Sequence, residues 1–388
     1  MNIKQLSEKY DDYIIKMRRY FHQNPELSWE ENNTTDIIEK ELINMGLKTI
    51  RFKEKTGIMA ILKGGNTGKT IVLRADIDAL PIEENTDEPF KATNGKMHAC
   101  GHDCHMAMLL GAAKILCEIK NELEGNVKFL FQAAEETCHG SEYYIKEGVL
   151  DDADAIFGMH IWGTLNALKI NIEPGGRMAS CDNFKITVKG KSSHGAAPHL
   201  GADAIVAAAS IIMNIQTYVS RRNNPLNPLV ITIGTINGGK KFNIIANKVV
   251  MEGTIRTFSR EIRKQIEGDM KEIIENTAKA LGTKAELEYW YFPGPVINDE
   301  HLTKLAEKSA IKLYGKDVLV PFDKLTGSED FAYYTEKIPG VFAFIGCRNE
   351  RIGAKYSNHS DKFKVDEASL QRGSALYAQF VYDYLKDE

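Results

Sequence analysis

No stretch of the 388-residue sequence approaches the roughly 20 consecutive apolar residues that a membrane helix needs, so a helical membrane protein is not expected. The opening segment, "MNIKQLSEKYDDYIIKMRRY", lacks the apolar block and small-residue cleavage site of a secretory signal. It reads instead as an amphipathic helix with Ile3, Leu6, Tyr10, Tyr13, Ile14 and Met17 near one stripe, and a cytoplasmic location is the expectation. Net charge is only −4 and the isoelectric point about 6.2, which leaves no electrostatic ground for a nucleic-acid or anionic-membrane partner. Cysteine is scarce: Cys100, Cys104, Cys117, Cys138, Cys181 and Cys347 are too few and too scattered for a disulfide scaffold. Long repeats and low-complexity linkers are missing as well. What remains is a globular composition, 43% hydrophobic and 26% charged, in a chain long enough for one core to split into two domains.

Between residues 55 and 180, short apolar runs alternate with helical stretches. "GIMAILKG", "TIVLRADID", "NVKFLFQAAEE" and "AIFGMHIW" read as strands, while "HMAMLLGAAKILCEIKNEL" and "SEYYIKEGVL" read as helices. This predicts an α/β catalytic domain with a mixed, mostly parallel sheet covered by helices. From residue 182 the texture changes. "NFKITVKGKSSHG" reads as an edge strand, followed by a helix, two strands, a second helix and the strand "KAELEYWYF". That order predicts an inserted ferredoxin-like α+β domain over 182–295. The catalytic domain is expected to be discontinuous, formed by 1–181 and 296–388.

The chemistry-bearing residues cluster at predicted strand ends, where open α/β sheets bind their ligands. "MHACGHDCHM" holds Cys100 and His102 two apart, so both could face one cation on loop backbone; thiolate and imidazole suit zinc and similar metals. Zinc-finger and redox readings both need C-x-x-C, and Cys100 and Cys104 are four apart. A plain structural loop is the alternative. In "FQAAEETCHG", adjacent Glu135 and Glu136 leave a buried strand in different directions, so one could ligate a metal while the other serves as a general base. Acidic residues at a solvated helix start are the rival there. "GMHIW" supplies His160 and "SNHSDKF" supplies His359. In "RADIDALP", Asp76 and Asp78 could ligate, could orient a ligating imidazole, or could pair with Arg74. A thiolate, three imidazoles and a carboxylate exceed one closed tetrahedral site, so a two-metal centre is the better count.

These segments, with "RRYFHQNPELSWEE", "SSHGAAPH", "GTIRTF" and "GSEDFAYY", resemble the amidohydrolase branch of the aminoacylase/metallocarboxypeptidase superfamily. That branch includes hippurate hydrolases, N-acetyl-amino-acid deacetylases and indoleacetyl-amino-acid hydrolases. The resemblance runs through nearly the whole chain in the family's order. It implies metal ligands at Cys100, His102, Glu136, His160 and His359. It implies Glu135 as the base that takes a proton from the attacking water and returns it to the leaving amine. Asp78 is implied as the group that orients a ligand histidine, with Asp76 left in doubt. His194 is implied at the oxyanion, and Asn247 and Arg256 at the substrate α-carboxylate, where a guanidinium suits bidentate recognition. The inserted domain is implied to be a lid and dimerisation domain, so a homodimer or larger assembly is expected. His22, His98, His105, His139, His199 and His301 take no catalytic part.

The resulting expectation is an enzyme that uses two divalent ions (manganese, zinc, cobalt or nickel) to hydrolyse small N-acylated amino acids into a carboxylic acid and a free amino acid. A dipeptidase or aminopeptidase on the same scaffold is the nearer alternative. A non-catalytic binding protein is the more distant one.

Overall fold

The computed structural model describes residues 2–387; Met1 and Glu388, the outer ends of the expected catalytic domain, lie outside the described residues. The chain forms two compact units. One comprises Met1–Gly175, Ile297–Asp323 and Asp330–Glu388, and the other Gly176–Val296 with Lys324–Glu329. The crossing points thus differ from the expected 181/182 and 295/296. Ala179 donates its N–H to the carbonyls of both Leu325 and Gly327 at 3.0 Å, which draws that late segment into the second unit.

The first unit is built on a seven-stranded sheet in the order Lys48–Arg51, Ile58–Lys63, Glu124–Gln132, Asn66–Asp76, Ala155–Asn166, Gly340–Arg348, Ile170–Asn171. The sheet is parallel only across its middle four strands, and the flanking strands pair antiparallel. The middle strands carry near-continuous apolar runs such as Ile71-Val72-Leu73, all buried, as helix-covered parallel strands do. Their register brings Asp76 beside Gln132 and His160 beside Phe344, so the ligand-rich ends gather at one edge. The flanking strands Lys48–Arg51 and Ile170–Asn171 escaped the sequence reading because each is short and carries a single large apolar residue.

The N-terminal segment is two helices, Ile3–Lys9 and Asp11–Gln23, rather than one. The break falls at Tyr10, where φ −100° and ψ 8° leave helical geometry. Among the described residues no helix is long and apolar enough to cross a membrane. The helix His102–Glu118 begins at a ligand candidate and is buried almost along its whole length. Gly111 on this helix lies so close to Ile14 and Ser374 that a Cβ would come within 2.6 Å and 2.5 Å of their side chains. This close approach seats the helix against both Asp11–Gln23 and Ala368–Leu385.

The second unit runs strand–helix–strand–strand–helix–strand. The four strands of its main sheet are all antiparallel, in the order Lys284–Trp290, Asp182–Lys189, Lys248–Thr257, Leu229–Gly238. The expectation of an edge position for Asp182–Lys189 is corrected: the strand is internal and paired on both sides. Its alternating pattern reflects one face packed on helices and one face partly open, which mimics an edge strand in sequence. Phe184, Ile186, Val188, Ile211, Met251, Ile266 and Met270 form the core between the sheet and the helices Ala204–Thr217 and Arg260–Ala280.

A branched side chain at Gly111 must push apart the helices it touches. Gly111→Val is expected to destabilise the metal-free protein by about 1–3 kcal/mol, despite the better helix propensity of valine. Urea unfolding checks this, and an unchanged midpoint would refute the close-contact account.

Candidate metal centre

The strand Asn66–Asp76 ends in a buried charge network. The Arg74 guanidinium, 1% exposed, donates to Gln132 Oε1 at 2.9 Å, Asp76 Oδ2 at 2.7 Å and Asp330 Oδ1 at 2.9 Å. Asp76 Oδ1 in turn accepts from His105 Nδ1 at 2.5 Å, and His105 Nε2 accepts the Ile161 N–H at 2.8 Å. Burial alone would raise the Asp76 carboxyl, but His102, His105 and Arg74 hold it well below the usual range. Asp76 is thus engaged by Arg74, the ion pair considered as its alternative, and also by His105.

His102 opens its helix with Nδ1 donating to the Asp78 carbonyl at 2.8 Å, which leaves Nε2 facing the cluster. The Asp78 carboxylate lies 3.4 Å from the same Nδ1, so the expected orienting contact comes chiefly from the main chain. The carboxylate itself accepts the N–H groups of Glu135 at 3.1 Å and Glu136 at 3.0 Å, and the Ser28 hydroxyl at 2.7 Å. Just before these, Ala134 sits at φ 59° and its N–H donates to Glu31 Oε1 at 3.0 Å. Two buried carboxylates therefore hold three consecutive amides, and this turn presents Glu135 and Glu136.

His160 Nδ1 donates to the Ile161 carbonyl at 2.7 Å, which directs Nε2 to 3.4 Å from Cys100 Sγ. His359, at φ 65°, brings its Nε2 to 3.2 Å from the same sulfur and 3.5 Å from Glu136 Oε1. The donor atoms fall into overlapping sets of three, each within 4.8 Å: Cys100–His102–His160, Cys100–Glu136–His359 and His102–Glu135–Glu136. All five ligand candidates thus meet in one place, with Glu135 among them and Cys100 common to two sets.

The donor set fits divalent cations. His102 Nε2 and Glu136 Oε1 are buried, 4.0 Å apart, and have no hydrogen-bond partner among the described residues. Buried polar atoms left without a partner are rare unless an ion or water completes them. The cluster also favours positive charge. Burial would lower His102, yet Asp76, Asp78 and Glu136 raise it to about 10. Burial, followed by the charges of Glu136, Glu135 and Asp76, pushes the Cys100 thiol well above its ordinary value.

The other predicted site residues lie in the second unit. His194 is exposed and its Nδ1 accepts the Ala196 N–H at 3.1 Å. Asn247 is exposed, and Arg256 is half-buried with Nη1 donating to Thr254 Oγ1 at 2.7 Å. His105, assigned no role from sequence, braces Asp76 and Ile161; its position one helical turn after His102 was the available signal. His98 is buried with no hydrogen-bond partner among the described residues, and burial pushes it down to about 4, so it is neutral at neutral pH. His22 belongs to a buried cluster with Arg18, Asp103 and Glu84.

Glu31 offers a pH test. Burial, then the charge of Asp78, raises its carboxyl from 4.5 to about 7. The fold therefore favours the neutral acid, whose contribution is whole below about pH 4.5 and lost as pH rises through about 7. Glu31→Gln in the metal-free protein is expected to gain stability relative to wild type between pH 5 and pH 8, by up to about 3 kcal/mol. Urea unfolding at both pH values measures it, and a difference that does not vary with pH would disprove it.

The same chain matches the Peptidase family M20/M25/M40 over residues 72–383. It is 41% identical to the N-acetyl-L-cysteine deacetylase of Bacillus subtilis, over 96% of this chain and 87% of that one. It is 36% identical to the thermostable carboxypeptidase 2 of Saccharolobus solfataricus, over 97% and 96%. The crystal structure of a Bacillus subtilis dinuclear metal-binding peptidase of the M20 family superposes with a TM-score of 0.87, at 35% identity and covering 98% of this chain and 99% of that one. With the fold, the donor set and the full-length likeness in agreement, the chain belongs to the Peptidase family M20/M25/M40.

Proposed function

We propose that the protein is a dinuclear metal-dependent amidohydrolase that cleaves the amide of N-acylated amino acids, releasing a carboxylic acid and a free amino acid. The observation that carries this reading is the pair of three-donor sets sharing Cys100, with Glu135 in a third set beside Glu136. Cys100, His102, Glu136, His160 and His359 would hold the ions. Thiolate, imidazole and carboxylate together suit zinc, manganese, cobalt or nickel. When bound, two divalent cations supply Lewis acidity for the acyl carbonyl and lower the pKa of water.

Glu135, held by its own N–H on Asp78, accepts a proton on its carboxylate from the attacking water and delivers it to the departing amide nitrogen. The motifs "SSHGAAPH", "NIIANK" and "GTIRTF" support His194 as donor to the developing oxyanion, and Asn247 and Arg256 as the grip on the substrate's α-carboxylate. We assign the second unit as a ferredoxin-like lid and dimerisation domain, with the catalytic domain formed by the segments on either side. Its strand–helix–strand–strand–helix–strand order supports the first part. The open edge of Leu229–Gly238 and the exposed Ile205, Val206 and Met213, at 48%, 52% and 67%, support self-association.

The names of the relatives differ in the group removed but share one chemistry. A deacetylase of N-acetyl-L-cysteine and a carboxypeptidase both act on an amide whose nitrogen belongs to an amino acid with a free carboxylate. That shared feature keeps dipeptide cleavage as the second reading.

Glu135→Gln is expected to lower kcat by roughly 10²- to 10⁴-fold while leaving metal content at two ions per chain. Wild-type turnover in this variant would remove the base from the mechanism. Chelation should abolish activity and two equivalents of metal restore it, so full activity with fewer than two ions would defeat the dinuclear reading. In a panel of N-acetyl, N-benzoyl and N-succinyl amino acids with dipeptides, kcat/KM should collapse when the α-carboxylate is blocked as an amide. Equal cleavage of blocked and free substrates would overturn the assignment of Asn247 and Arg256.

A further inference from the structure

His359 comes from a loop late in the chain, more than half of its side chain is exposed, and its backbone lies at φ 65°. Something must hold such a ligand against donors from remote segments. Its neighbour Asn358 touches two of those segments, the one bearing Cys100 and the one bearing His160. Asn358 Nδ2 donates to the Cys100 carbonyl at 2.9 Å and to the Ile161 carbonyl at 3.1 Å, and Oδ1 accepts the Gly163 N–H at 2.9 Å. The Ile161 carbonyl is the same acceptor that takes His160 Nδ1–H and so directs His160 at Cys100. Beside this, the His359 N–H donates to the Ala99 carbonyl at 2.8 Å. One carboxamide, its donors and acceptor all used, thus joins the backbones that carry Cys100, His160 and His359.

We propose that Asn358 is a positioning residue for the metal centre, its carboxamide docking the His359 loop onto the segments that bear Cys100 and His160. This inference rests on the two-ion ligand set proposed above. Groups that orient metal ligands typically change metal affinity by 10- to 100-fold when removed. The geometry also says which ion is affected: the one held by Cys100, Glu136 and His359 depends on the loop, whereas the sets built on His102 do so less.

The test is cobalt(II) titration of metal-free wild type, Asn358→Ala and Asn85→Ala, with bound metal from equilibrium dialysis and the thiolate-to-cobalt absorption reporting on Cys100. Asn85 holds Asp361 in the same loop by two hydrogen bonds of 2.8 Å but touches no ligand segment, so it separates a specific role from general loosening. Wild type should take up two ions. Asn358→Ala should bind one of them about 10- to 100-fold more weakly, and Asn85→Ala should match wild type. In metal-free protein, the Gly163 and His359 amides should exchange hydrogen faster in Asn358→Ala than in wild type. If Asn358→Ala does not fold, Asn358→Ser takes its place in both measurements. Superimposable isotherms, or equal weakening in Asn85→Ala, overturn the proposal. Fewer than two ions on wild type overturns the ligand set itself, and the role of Asn358 with it.

Discussion

The buried guanidinium of Arg74 is the contact on which the first unit's functional edge depends. A charge taken this far from water is tolerable only with full compensation, and Arg74 receives it from Asp76, Asp330 and Gln132. These partners come from its own strand, the neighbouring strand and the segment after the inserted unit. Asp76 passes the order on to His105 and thence to the main chain beside His160. The strand ends are therefore fixed relative to one another before any cation is considered. Removing one partner would leave an uncompensated charge in the interior, which is costlier than losing the pair altogether.

A second constraint is local strain. Ala134, Cys138 and His359 all adopt positive φ without being glycine, and all lie at or next to donor-bearing turns. Each such residue costs of order 1–3 kcal/mol and persists only where its surroundings over-determine it. At Ala134 the over-determination is visible as the amides bound by Glu31 and Asp78. At His359 it is the neighbouring carboxamide and the Ala99 carbonyl. At both turns hydrogen bonds to the backbone hold the donor-bearing residues in place.

Much of this was legible in the residues themselves. Cys100 and His102 stood out because two good ligands two positions apart are uncommon, and Glu135 and Glu136 because they follow a buried strand. His160 and His359 are lone histidines that acquired meaning only through the resemblance and the count of donors. Asn358 left no trace, since an asparagine in a polar loop obeys no period and its partners are main-chain atoms 195 to 258 positions away. The sequence places Arg74 two positions from Asp76 and so offers that pair, but its bond to Asp330 spans 256 positions and no local pattern encodes it. Element type is legible where apolar runs are long. Lys48–Arg51 carries too little signal, with one large apolar residue, and the internal placement of Asp182–Lys189 is not encoded locally, because strand order in a sheet is a non-local property.

The division of the first unit has a consequence for the order in which the chain is made. Cys100, His102, Glu135, Glu136 and His160 all precede the inserted unit, whereas Asp330, His359 and the helix Ala368–Leu385 follow it. A ribosome delivers the protein from its N-terminus, so these five donors emerge before Asp330 can join Arg74, and with the long helix in reach of Ile14 at Gly111 but not yet of Ser374. The second unit, nearly continuous in sequence and with its own core, can fold meanwhile. The ligand candidates are thus split along the polypeptide: His359 lies in its last tenth, whereas Cys100, His102, Glu136 and His160 lie in its first half.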